Sequence, residues 1–95
     1  MEFQGLAPKR TLQWSEVGSE LVILDRAMGE LLRLNPVAGF IWKQLNGRRS
    51  ATEIAEMVAR HFAVERAMAE QDVEKFLKKL VGLEIVEAQA YDHPS

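Results

Sequence analysis

The side chains that could do chemistry are few and widely spaced. The chain holds His61 and His93, no cysteine, and serines at positions 15, 19, 50 and 95. His61 recurs at helical spacing with Ile54, Val58 and Phe62, which predicts the inner face of a helix and a core histidine rather than a ligand. His93 has no second histidine at metal-binding spacing. None of the serines lies in a nucleophile-elbow pattern, and no glycine-rich phosphate loop is present. Glu53 and Glu56 fall on the outward side of a helix, where a solvated carboxylate is the default. With no cysteine, disulfides, thiolate metal sites and a cysteine nucleophile are all excluded. The expectation is a chain that is not an enzyme, with no cofactor and no metal.

Composition narrows the remaining classes. Ninety-five residues, 47% hydrophobic and 27% charged, suit one globular domain. Apolar runs such as Leu21–Leu24 are far shorter than the roughly 20 residues a spanning helix needs. The opening MEFQGLAPKR lacks a signal-peptide core, so no membrane or export step is expected, and the cytoplasm is the expected location. Twelve basic and 14 acidic residues give a net charge of −2, which offers no global attraction to phosphates or anionic lipid.

The pattern predicts strands first and helices second. Residues 1–9 read as a flexible lead-in, 10–87 as the domain and 88–95 as a flexible tail. Arg10–Trp14 is a weak strand, and Glu20–Asp25, β-branched and bounded by Gly18-Ser19, a strong one. Gly29–Leu34 follows through Arg26, Ala27 and Met28, so Leu21–Asp25 and Glu30–Leu34 should pair antiparallel. Asn35 as N-cap with Pro36 at the first helical position starts a helix that buries Val37, Phe40, Ile41 and Leu45 and ends at Asn46-Gly47. Ser50-Ala51-Thr52-Glu53 is a capping box, followed by Ile54, Met57, Val58, His61 and Phe62 on one face. The third helix carries Val73, Phe76, Leu77, Leu80 and Val81, with Glu70 and Asp72 near its start and Gly82 as its stop. Leu83–Glu87 then returns as a short strand. The fold class is α+β and winged-helix-like: a three-stranded antiparallel sheet, three helices and a short β return.

The hairpin carries the functional signal. A sheet covered on one face should alternate apolar and polar residues, yet Leu21-Val22-Ile23-Leu24 does not. Leu32 and Leu34 share one face, and Leu31 and Arg33 the other. Either Leu12 or Trp14 covers the extra face, or an exposed strand edge is a template for β-augmentation by an extended peptide. A row on the third helix such as Asp72, Phe76 and Lys79 would form the opposite wall, with Arg33 and Asp72 as a charge pair that sets register. The alternative is a winged-helix DNA-binding regulator that uses Lys75, Lys78 and Lys79. Glu70, Asp72 and Glu74 cancel those lysines, and no arginine or asparagine is offered to base edges, so nucleic acid is the weaker partner class. A third option is a dimer formed through the same open edge.

The succession VILD…GELLRLNPVAGFIWKQLNGRRSATEIAEMVARHF…DVEKFLKKLVGLEIV resembles the PqqD-like family, also called RiPP recognition elements, over roughly residues 10–87. The resemblance implies a non-catalytic adaptor that binds the leader segment of a ribosomally made precursor peptide and presents it to a modifying enzyme or leader peptidase. Carried onto this chain, it implies strand addition at Glu30, Leu31, Leu32, Arg33 and Leu34, and a helical wall drawn from Asp72, Val73, Phe76, Lys79 and Leu80. QLNG stands where quinone-pathway members tend to have a cysteine and aspartate before the glycine, and LDRAMGE lacks their proline-glutamate turn. A lasso-peptide or radical-SAM type pathway is therefore implied ahead of quinone cofactor biosynthesis.

Overall fold

A computed structural model of the chain describes residues 3, 5–26 and 29–88. The elements are β1 (Leu6–Pro8), β2 (Gln13–Val17), β3 (Glu20–Asp25), β4 (Glu30–Leu34), α1 (Pro36–Lys43), α2 (Ala51–Phe62), α3 (Arg66–Gly82) and β5 (Val86–Ala88). One antiparallel sheet has the order β2-β3-β4, and β1 pairs with β5 in a second, two-stranded sheet. The α+β plan read from the pattern is present, with β1 as an addition to it.

Turn chemistry explains where the strands lie. Gly18 takes φ 65°, and the two-residue loop Gly18-Ser19 brings Val17 directly opposite Glu20. Pairing therefore begins at the loop, which puts β2 at Gln13–Val17 rather than Arg10–Trp14. The β3–β4 register pairs Ile23 with Leu32 and Leu21 with Leu34, so these four side chains share the covered face. Ala27 and Met28 of the connecting loop lie outside the described residues.

The corner from β4 into α1 forms as the sequence predicts. Asn35 stays extended, its side-chain oxygen accepts from Ala38 N–H at 2.9 Å, and Pro36 takes the first helical position, where no N–H is needed. The helix ends at Lys43, a turn earlier than expected. Asn46 accepts from the N–H groups of Arg48 (2.9 Å) and Arg49 (3.1 Å), so its side chain holds a loop instead of prolonging the helix. Ser50 and Glu53 complete the capping box of α2.

The core differs from the expected stripes in informative ways. Trp42 is the largest fully buried side chain, meeting Trp14 edge-on with ring centroids 6.5 Å apart, while Phe40 is only half-buried. His61 is exposed and stacks on Phe40 at 4.4 Å, so the reading of a core histidine is corrected. The core face of α2 is centred on Ile54, Ala55 and Val58, which turns position 61 to the rim beside α1. Helix α3 begins at Arg66, a turn before Glu70, because Ala69 supplies a further inward position ahead of Val73, Leu77 and Leu80. Val81, expected in the stripe, is exposed.

Gly82 does not stop α3. The helix closes in a Schellman motif: Glu84 N–H donates to the Val81 carbonyl (3.0 Å), Ile85 N–H to the Leu80 carbonyl (3.4 Å), and Glu84 takes φ 60°. Ile85 is buried with Leu80, supplying the motif's apolar contact. Since the left-handed conformation strains any residue with a Cβ, Glu84→Gly should raise stability by about 1 kcal/mol in urea denaturation. A destabilised variant would show that the Glu84 side chain contributes more than its backbone strain removes.

The expected lead-in is also corrected, since residues 5–9 are held by backbone bonds. Gly5 N–H donates to Arg49 O (3.0 Å), Leu6 O accepts from Gly47 N–H (3.0 Å), and Lys9 N–H donates to Ile85 O (3.1 Å). Leu6 and Ala7 are buried, with Leu6 only 7% exposed within the main core. A three-residue strand carries little periodicity of its own, and its partner β5 lies at the other end of the domain, with Leu6 opposite Ala88, so nothing local announced it. Residues 89–95 of the expected tail, including His93, lie outside the described residues. Leu6→Ala should lower stability by about 2 kcal/mol; an unchanged denaturation midpoint would return this segment to the status of a loose arm.

Candidate functional site

The site begins with an edge. Strand β4 pairs with β3 on one side, and among the described residues nothing pairs with its other side. In an antiparallel ladder, alternate residues direct their N–H and C=O groups toward the partner strand. The remaining N–H and C=O groups of β4 point out from this free edge, ready for water or for another strand.

Side chains divide across the two faces of β4 as the alternation predicts. Leu32 and Leu34 face the helices. Leu31 and Arg33 lie on the opposite face with Leu24 and Val22, and Leu31 is 59% exposed. Arg33 pairs with Glu20 at 3.7 Å, which corrects the expected Arg33–Asp72 pair. Position 33 belongs to the face turned away from α3, so the two charges are on different sides of the sheet. Trp14 registers with Ile23 and meets Trp42 but stays 44% exposed, and with half-buried Leu12 it borders an outer depression lined by Val22, Leu24 and Leu31.

Helix α3 supplies the opposing wall. Asp72, Lys75, Phe76 and Lys79 line a groove of about 570 Å³ against Asn35, Val37, Ala38 and Ile41 at the start of α1. At the other end, Glu30, Leu31 and Leu32 share a depression with Leu83 and Ile85, just beyond the end of α3. The first residues of β4 thus lie by the C-terminal end of α3, and the corner after β4 lies by its middle. Strand and helix thus run in opposite directions, with the start of β4 near Leu83 and Ile85 and its end at the corner that lines the groove.

Of the residues expected on the wall, Asp72, Phe76 and Lys79 line the groove, whereas Val73 and Leu80 are fully buried in the core. They cannot touch a docked molecule directly, and their inclusion is corrected. A row at i, i+3, i+4 and i+7 from Asp72 selects Lys75, Phe76 and Lys79, whereas Val73 and Leu80 fall on the neighbouring inward row with Ala69 and Leu77. Leu34 is likewise buried, so only its backbone can take part at the edge. Lys75 was recoverable from that row, but Asn35, Val37, Ala38 and Ile41 enter only because the corner swings α1 toward α3. Among the described residues no His/Cys/Asp/Glu group could hold a metal, and no helix is long and apolar enough to cross a membrane.

Comparison with solved structures finds the same architecture. TbiB1 in complex with the TbiA(beta) leader peptide superposes with a TM-score of 0.77 at 25% identity, covering 90% of this chain and 99% of that one. Lasso peptide synthetase B1, complexed with the leader peptide, gives 0.77 at 23% identity over 87% of this chain and 98% of its own. The PqqD truncation of Methylobacterium extorquens PqqCD, a stand-alone RiPP recognition element, gives 0.73 at 20% identity over 90% and 94%. No curated protein sequence matches the chain. The family model for coenzyme PQQ synthesis protein D (PqqD) matches residues 20–86, from the start of β3 through the corner and groove into β5. A match of that extent, over the segment that builds the edge and its wall, makes this chain a member of the PqqD family.

Proposed function

We propose that this chain binds the leader segment of a ribosomally made precursor peptide as an added strand on β4, and hands that peptide to a modifying enzyme or leader peptidase. The observation that carries the reading is a β4 edge left free among the described residues, which runs into the Asn35 corner where the groove between α1 and α3 begins. Main-chain hydrogen bonds to Glu30–Leu34 supply sequence-tolerant affinity, and the groove around Phe76 supplies selectivity. Two relatives of matching fold, TbiB1 and lasso peptide synthetase B1, were solved with leader peptides bound, which supports the same occupant here.

In this reading the protein performs no bond chemistry. It raises the effective concentration of substrate at the enzyme, a gain that needs no catalytic residue. The rigid corner contributes, because Asn35 and Pro36 hold β4 before any peptide arrives and less ordering is left for the binding step. We place the encounter in the cytoplasm, where ribosomal precursors are made, in a pathway of the lasso or radical-SAM type.

The test is an amide NMR titration with synthetic leaders encoded by short open reading frames beside the gene. Shifts should concentrate at residues 29–34 and 72–83. Shifts elsewhere, or shifts only with duplex DNA centred on Lys75–Lys79, would overturn the reading. The mode of binding gives a second expectation: Phe76→Ala should weaken leader affinity roughly tenfold. Phe76 also packs on the core, so Phe76→Leu serves as the folded reference, and unchanged affinity in both variants would remove this ring from the site.

A further inference from the structure

The charges of α3 divide into two sets. Arg66 pairs with Glu56 (3.0 Å) and Glu70 (3.3 Å), and Lys78 pairs with Glu74 (3.7 Å). Asp72, Lys75 and Lys79 have no ion-pair partner among the described residues, and they are the three charged side chains of α3 that line the groove. Away from the groove the helix neutralises its own charges. Inside it, two cations and one anion are left open beside Phe76, Val37 and Ala38.

Spacing gives this arrangement a readable content. Lys75 and Lys79 are one helical turn apart, about 6 Å along the axis, and Asp72 lies about 4.5 Å before Lys75. Alternate side chains of an extended peptide that face the same wall are roughly 6.6 Å apart. One helix-facing side chain of an added strand can therefore sit over the apolar floor while the next, two residues away, reaches the lysine pair. Resting on the leader-binding reading above, we propose that this groove selects leader segments with an acidic side chain two residues from an apolar anchor. Lys75 and Lys79 read the acid, and Asp72 repels a second acid at its own end of the groove. A carboxylate held by two ammonium groups beside apolar walls makes charge-assisted hydrogen bonds stronger than those between neutral groups. Like charge facing Asp72 is unfavourable, so the polarity also favours one placement of the peptide along β4.

The experiment is selection from a displayed library of random 18-residue peptides on the wild-type protein and on the K75E/K79E double variant, with circular dichroism to verify folding. Wild-type selections should be enriched in Asp or Glu two positions from an apolar residue. K75E/K79E should bind those peptides at least tenfold more weakly and shift its own selections toward Lys or Arg. K78E alters a lysine outside the groove and should change affinity by less than about twofold, a size appropriate to an exposed pair. Selected peptides that shift the amides of β4 yet show no acidic preference, or keep full affinity for K75E/K79E, would overturn the charge inference and leave strand addition standing. Selections that fail to enrich any peptide acting on β4 would overturn both.

Discussion

The corner at Asn35-Pro36 is the constraint on which the rest depends. Within one residue the backbone passes from the extended edge strand to the first turn of α1, because Asn35 satisfies the Ala38 N–H while Pro36 offers none to satisfy. Any longer connection would let α1 swing independently of β4. As it stands, the direction of the strand sets the position of Val37, Ala38 and Ile41, which form one side of the groove. The approach of α1 to the sheet is close: a Cβ added at Gly39 would lie 3.3 Å from the Leu21 Cβ. Glycine at this point lets the helix lie against β3, and that contact holds the edge strand from behind.

Helix α3 has two roles divided between adjacent rows. Ala69, Val73, Leu77 and Leu80 enter the core, and Asp72, Lys75, Phe76 and Lys79 face the groove. Phe76 belongs partly to both, since its ring packs on the core and lines the groove. Under the proposed reading, stability and recognition are coupled through one helix: the inward row fixes the rotation of α3, and that rotation presents the outward row to the groove. The Schellman closure at Glu84 and Ile85 continues the coupling, since it turns the chain toward β5 and places Leu83 and Ile85 at the far end of the edge.

Much of the fold could be read from local signals. The Gly18-Ser19 loop, the Asn35-Pro36 start and the Ser50–Glu53 capping box act through bonds a few residues apart, and each forms where the residue types require it. Local signals failed where a side chain or the chain ends answered to distant partners. His61 has the spacing of a core residue but stacks on Phe40 at the rim. Gly82 looks like a stop, yet the left-handed residue is Glu84, held there by the burial of Ile85. Leu6 carries no periodic signal and is nonetheless in the core.

The candidate site divides along the same line. The sequence by itself determined which residues form the edge strand and which face each side chain of β4 takes, because alternation and residue type are properties of short segments. Only the tertiary structure decided that the edge stays free, that Val73 and Leu80 turn inward while Lys75 joins Phe76 and Lys79, and that Arg33 pairs with Glu20 instead of Asp72. Those outcomes rest on the rotation of α3 about its axis and on the angle at which α1 leaves β4. Both angles are set by how many side chains pack at once, a sum over contacts distant in sequence that no local pattern contains.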